Sequence, residues 1–208
     1  MLCKSAVEPP TLALLKTICQ LPELNSFGLG GGTNLALRYG HRLSVDLDFF
    51  TNSPFDTAGI YKILITKFKH IELLYEQNQT MMFLINGIKT DFILYPFEWL
   101  NPFEIMEENR LISLEDMIPM KLQAISNRFS KKDFWDIELL LENYSLNKMI
   151  DIFKLKFPPI DPGFIIHSLT NFENADMEED PICLTSKTWT EVKQNLEKKV
   201  IHYTQQFL

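Results

Sequence analysis

Asp46 and Asp48 are two carboxylates one residue apart, inside the run Ser44-Val45-Asp46-Leu47-Asp48-Phe49-Phe50. The run is rich in β-branched and aromatic residues and reads as a strand over 45–50. In a strand, residues i and i+2 share a face, so the two carboxylates project together while Val45, Leu47 and Phe49 are expected to face a core. Paired carboxylates repel and call for a cation or a proton between them. Mg²⁺, or Mn²⁺ in its place, takes one or two carboxylates together with substrate phosphates. Asp91 is a third candidate, mid-run in Ile88-Lys89-Thr90-Asp91-Phe92-Ile93-Leu94-Tyr95. If that segment lies beside the first, three carboxylates converge, an arrangement suited to metal-assisted phosphoryl or nucleotidyl transfer. The plainer alternatives are a solvated strand edge for the Asp pair and an edge charge paired with Lys89 for Asp91.

A second feature precedes the acidic strand. Gly30-Gly31-Gly32-Thr33 stands between a short apolar segment and a helix-forming one. Glycines there let the backbone approach a ligand, and a helix N-terminus offers its unbonded N–H groups to phosphate. No GxGxxG pattern is present and no Walker lysine follows the glycines, so taken alone the turn fits a phosphate cradle and a simple tight turn equally well.

The elements that must position these residues can be read along the chain. Pro9-Pro10 opens a helix through Ile18, and 26–29 reads as a short buried strand. A helix after the glycines stops at Gly40. Asp56 is the expected N-cap of a helix through Phe68. Strands are expected at 71–76, 80–85 and 88–95, the last two joined by Asn86-Gly87, a pair suited to a type I′ turn. From Pro96 the strand signals fade. Helices follow over 113–129, 133–144 and 146–157, with another at 163–172 and a last one over 187–207. The expected fold class is therefore α+β: a small mixed β-sheet flanked by helices over 1–100, then a helical half over 101–208 packed on that core.

Composition bounds the partners. The 208 residues carry 20 Lys+Arg and 27 Asp+Glu, a net charge of −7, which disfavours a general nucleic-acid coat. Three cysteines, Cys3, Cys19 and Cys183, show neither metal-ligand spacing nor a disulfide framework and suit a reducing compartment. No apolar run approaches the ~20 residues that span a bilayer, and the first residues lack a secretory h-region. A cytoplasmic protein with no membrane partner is expected.

The run Gly31-Gly32-Thr33-Asn34-Leu35-Ala36-Leu37-Arg38-Tyr39-Gly40-His41-Arg42-Leu43-Ser44-Val45-Asp46-Leu47-Asp48-Phe49-Phe50 closely resembles the opening motif of the AbiEii/AbiGii toxin family, nucleotidyltransferase-like proteins of the DNA polymerase β superfamily. Asp91 in Lys-Thr-Asp-Phe matches that family's third acidic strand. Lys121-Leu122-Gln123-Ala124-Ile125, Asn127-Arg128 and Lys131-Lys132-Asp133-Phe134-Trp135-Asp136-Ile137 match its later segments. The resemblance spans about residues 10–145. It implies that Gly31, Gly32 and Thr33 cradle a triphosphate and that Asp46 and Asp48 hold Mg²⁺, with Asp91 as ligand or base. It further implies that Lys121 meets nucleotide phosphates, and that Asp133 or Asp136 completes the site. Two departures stand out: Gly-Gly-Thr replaces the superfamily's usual Gly-Ser, and Gly30 stands where an apolar strand end is expected, which would loosen the turn.

The remaining polar residues fit around this. Lys121, Ile125 and Arg128 share a helix face, so Lys121 and Arg128 would meet a triphosphate or an RNA backbone. Asp133 suits an N-cap, and Asp136, set between Trp135 and Ile137, would point inward and pair with one of those cations. Arg42 would neutralise phosphate or an aspartate, and His41 is structural. Arg128 with Lys131-Lys132 forms a compact basic cluster that an RNA or plain solvent would contact, and Glu173–Asp180 reads as a solvated acidic loop. The leading expectation is a Mg²⁺-dependent nucleotidyltransferase that moves NMP from an NTP to an acceptor hydroxyl. A tRNA or other RNA 3′ end is the favoured acceptor, and the resemblance implies the toxin of a type IV toxin–antitoxin or abortive-infection system with an antitoxin partner. A protein-modifying transferase, a non-catalytic NTP-binding interaction protein and a metal-dependent nuclease are the alternatives.

Overall fold

The computed structural model describes residues 1–207, which divide into two compact units, one over Met1–Ser113 and one beginning at Leu114. The first unit holds a mixed sheet with helices α1 (Pro9–Cys19), α2 (Gly31–Tyr39) and α3 (Thr57–Lys67). Its strands are β1 (Gly28–Leu29), β2 (Leu47–Thr51), β3 (Ile71–Gln77), β4 (Thr80–Ile85), β5 (Ile88–Leu94), β6 (Glu104–Met106) and β7 (Asn109–Leu111). Among the described residues they form one sheet in the order β3-β4-β5-β2-β1-β7-β6. The pairs β2–β5 and β1–β7 are parallel, and the other neighbours are antiparallel.

The alternation of β2 explains which face is core. Leu47 and Phe49 are fully buried, and Phe49 stacks on Phe92 of β5 with ring centroids 5.4 Å apart. Phe27 and Phe83 close edge-on against the same Phe92. Burying such rings is worth about 1.5–3 kcal/mol each. Val45, expected on this face, is instead exposed, because the strand begins only at Leu47 and the chain at 43–46 is irregular.

Local signals account for most of the remaining elements. Gly40 ends α2 in the left-handed conformation, φ 65°. Asn86 and Gly87 take φ 53° and 81°, the type I′ geometry that sets the β4–β5 register. The hairpin of β6 and β7 is absent from the sequence reading, and it extends the sheet past the expected end of the α/β region at 100 to Leu111. Its turn is Glu107-Glu108, with φ 48° and 68°. Glutamate carries no turn signature, so the hairpin is hidden from residue types. Glu107 is held there by the Leu2 N–H at 3.0 Å and by Lys4 at 2.7 Å.

The second unit contains α4 (Leu114–Arg128), α5 (Lys131–Asn143), α6 (Leu146–Lys156), α7 (Pro162–Ser168) and α8 (Trp189–Thr204). Thr188 and Glu191 form a reciprocal capping box at the start of α8. Phe134, Trp135, Phe172 and Trp189 make its aromatic centre, with Trp135 stacked on Trp189 at 5.7 Å. The acidic stretch after α7 is solvent-exposed, as expected, and is also tied down. Glu178 accepts from the Lys131 backbone N–H at the start of α5, and Asp176 accepts from Trp189 and Lys193. No helix among the described residues is long and apolar enough to cross a membrane.

Candidate active site

Beside β2, the parallel strand β5 brings Asp91 directly opposite Asp48. Opposed residues of a parallel pair share a face, so the second and third sequence candidates lie together on the face away from the aromatic core. Asp46 sits two residues before Asp48, just outside the strand, and is half-buried. Asp91 is the deepest of the three. Its side chain is 5% exposed, its Oδ2 receives Lys89 at 2.9 Å, and its Oδ1 is buried with no hydrogen-bond partner. Burial pushes the Asp91 carboxyl above its ordinary value, and the nearby charges of Asp48 and Asp46 add to this against the pull of Lys89. Among the described residues, no three carboxylate, imidazole or thiol groups stand close enough to hold a metal ion unaided. The three aspartates converge electrostatically without closing into a cage.

The start of α2 lies against this face. The Gly30 N–H donates to the Asp48 carbonyl at 2.8 Å, joining the turn to β2. Gly31 has φ 64°, and a Cβ there would run into the Asp48 carboxylate. Gly32 packs on the Arg42 guanidinium, which occupies the space a side chain would need. Arg42 is buried and donates to the Leu43 carbonyl at 3.1 Å. The glycines therefore let the first turn of α2 lie directly on a carboxylate and a guanidinium, with the N–H groups of that turn outside the helix's own hydrogen bonding.

Two expectations change here. The Gly30 turn is not loose: a Cβ at this position would lie 2.8 Å from the Phe50 ring, so the glycine is demanded by close packing. The Thr33 hydroxyl does not project toward a ligand. It is buried, bonds the Ser44 hydroxyl at 2.8 Å and donates to the Asp46 carbonyl. Thr33 thus pins the chain that delivers Asp46, and any phosphate contact from this residue falls to its backbone. Ser44, which residue types alone did not mark, completes that pin.

The helical unit has its own charged cluster. Lys121 on α4 is buried between two fully buried carboxylates of α5, Asp136 at 2.6 Å and Asp133 at 3.2 Å. Arg128, its side chain 54% exposed, grips Asp133 through Nε at 2.5 Å and Nη2 at 2.8 Å. Burial would raise Asp133, yet Lys121 and then Arg128 hold its carboxyl below the ordinary value. The expected inward pairing of Asp136 with Lys121 is present. Asp133 is not the N-cap of α5: Ser130 takes that position, and the Asp133 N–H bonds the Ser130 carbonyl. The expected Arg128-Lys131-Lys132 cluster is broken up. Lys131 is buried against Asp180 at 2.9 Å and over the Trp189 ring, while Lys132 is exposed.

Comparison with known proteins agrees with this geometry. The sequence profile described as "Nucleotidyl transferase AbiEii toxin, Type IV TA system" matches residues 13–206. The chain belongs to the AbiEii nucleotidyltransferase toxin family. It is 37% identical over 201 residues to an uncharacterized protein of Aquifex aeolicus, covering 91% of this chain and 93% of the relative. Two solved structures share the nucleotidyltransferase fold of this AbiEii-family chain. JHP933 from Helicobacter pylori is 17% identical with a TM-score of 0.55, covering 94% and 92% of the two chains. MenT4, a nucleotidyltransferase toxin from Mycobacterium tuberculosis, is 13% identical with a TM-score of 0.54, covering 90% and 82%. At such identities the likeness is one of fold. In this AbiEii-family chain, residue types alone mark Lys89 only as the partner in the plainer account of Asp91. The signal for it was present, since i and i+2 on a strand share a face.

Proposed function

We propose that this AbiEii-family nucleotidyltransferase is Mg²⁺-dependent and transfers NMP from an NTP to an acceptor hydroxyl, releasing pyrophosphate. The favoured acceptor is the 3′ end of tRNA or another RNA, and membership of the family supports a role as the toxin of a type IV system with an antitoxin counterpart. The observation that carries the reading is the register of Asp48 opposite Asp91, with the first turn of α2 lying on the Asp48 carboxylate.

The residues fit a hard divalent ion. The donors are carboxylate oxygens, Asp91 Oδ1 is buried and unsatisfied, and Mg²⁺ completes its shell with phosphate and water rather than a full protein cage. Asp46, Asp48 and Asp91 would hold it. Once bound, the ion supplies neutralising charge to the triphosphate and acidity to the attacking hydroxyl. The chain does the positioning. The N–H groups at Gly31, Gly32 and Thr33 donate to phosphate oxygens, where the helix dipole favours anions. Arg42, held against Gly32, adds positive charge at that same turn. Asp91 is a ligand or takes the acceptor's proton. In the helical unit, Lys121 lies between Asp136 and Asp133 and holds Asp133, which in turn grips the Arg128 guanidinium. Arg128 is the member of that cluster open to solvent, and it would meet a phosphate of the RNA.

The test is a labelling assay with Mg²⁺, total tRNA and each α-labelled NTP in turn, beside an Asp46→Ala/Asp48→Ala control. Label on RNA from one or two NTPs, lost in the control, is the expected result. Label on a protein band instead would move the acceptor to a protein hydroxyl. No label from any NTP, with no stabilisation by NTP and Mg²⁺, would refute transfer.

A further inference from the structure

Lys89 stands where the carboxylate site needs a cation. Lys89 and Asp91 are two residues apart on β5, and the strand puts both side chains on one face. Its ammonium lies 2.9 Å from Asp91 Oδ2. Asp48 lies opposite Asp91 in the strand register, and Asp46 stands two residues before Asp48. The same three carboxylates are the proposed ligands of the divalent ion. Three carboxylates drawn together on one face repel, and they do not close into a metal cage as they stand. A lysine and a divalent ion would thus answer the same electrostatic need in the same place. Lys89 also suits a group that can leave. Its side chain is 44% exposed, so a flexible four-carbon stem can carry the ammonium out to water without breaking buried structure.

We propose that Lys89 is a resident counter-cation of the metal site. Its ammonium holds Asp91 in place while no divalent ion is bound and yields that position when one binds. The metal must then displace an ammonium as well as water, which lowers the site's intrinsic affinity for the bare ion. The stem stays anchored in β5 beside the site, so the exchange is reversible and needs no backbone change. This inference rests on the proposed metal site and adds to it a residue that acts on metal occupancy rather than on the phosphates.

The test measures metal binding without turnover. Mn²⁺ affinity is measured by calorimetry on the full chain without NTP, for wild type, Lys89→Met and Lys89→Arg, with Asp48→Asn as the site control. Melting in excess chelator is recorded for each. Lys89→Met is expected to bind Mn²⁺ about five- to tenfold tighter, the modest gain set by the solvent screening of a half-exposed pair, and to melt lower in chelator. Lys89→Arg, which keeps the charge, should stay near wild type in both. A lysine that is merely structural would lower the melting temperature without tightening the metal. Equal or weaker Mn²⁺ binding by Lys89→Met, with wild type binding and Asp48→Asn not, would overturn the counter-cation role and leave the metal site standing. If neither wild type nor Lys89→Met binds Mn²⁺, the metal site itself falls and this role with it.

Discussion

Asp48 and Asp91 do different work despite facing each other across two strands. Asp48 supports the turn of α2, whereas Asp91 is buried with one oxygen unsatisfied. Replacing either by Asn keeps the shape and removes the charge. Each substitution should lower NMP transfer by about 10²- to 10³-fold, the scale of losing one electrostatic contact to a transition state. Asp91→Asn should also melt at or above the wild-type temperature near neutral pH. The reason is the sign of its shift. A carboxyl whose folded pKa is raised costs stability once it ionises, and the amide removes that cost. A fall of several degrees would show that the Lys89 pair outweighs burial. Gly31→Ala tests the turn. It combines an unfavourable φ of 64° with a clash at the Asp48 carboxylate, so a loss of about 1–3 kcal/mol and of activity is expected by melting and by the labelling assay.

At the scale of elements, α4 and α5 are joined by an ion cluster that the hydrophobic pattern of either helix would leave unexplained. Lys121 lies between Asp133 and Asp136, and removing one member strands the others in an apolar setting. Lys121→Met should cost about 3–5 kcal/mol by denaturant unfolding at pH 7. Asp133 adds a pH dependence. Its folded pKa is held below 3.8, so its stabilisation is complete above that value and is lost as pH falls through the lower folded one. The difference between wild type and Asp133→Asn should therefore be full at pH 6–7 and shrink below about pH 4. The β6–β7 hairpin gives the opposite kind of prediction. Glu108 sits at φ 68°, and its pair with Lys16 is exposed, so Glu108→Gly should stabilise the protein by about 0.5–1 kcal/mol.

For the whole molecule, the proposed reading requires that ligand binding be visible in stability. At 100 times its dissociation constant, an NTP–Mg²⁺ complex stabilises the native state by about 2.7 kcal/mol, which for a chain of this size is about 5–10 °C. The shift should vanish with chelator and in Asp46→Ala/Asp48→Ala. Much of this protein was legible in its residues. The type I′ pair Asn86-Gly87, the stop at Gly40, the alternation in Leu47-Asp48-Phe49 and the aspartate spacing are local signals, and each acts through the few residues around it. They suffice for the α+β class, for the strand carrying Asp48 and for the family. Other features depend on residues distant in sequence. The meeting of Asp48 with Asp91 depends on β5 returning parallel to β2, 43 positions along the chain. Thr33 turns inward because Ser44 and the Asp46 carbonyl receive it, and Lys131 is withdrawn from the surface because Asp180 and Trp189 enclose it. Glu107 and Glu108 form a turn because the first residues of the chain grip one of them. Local spacing selects each element and the side its residues face. Which carboxylate meets which cation is decided only when burial makes an unpaired charge costly and the assembled fold supplies its partner.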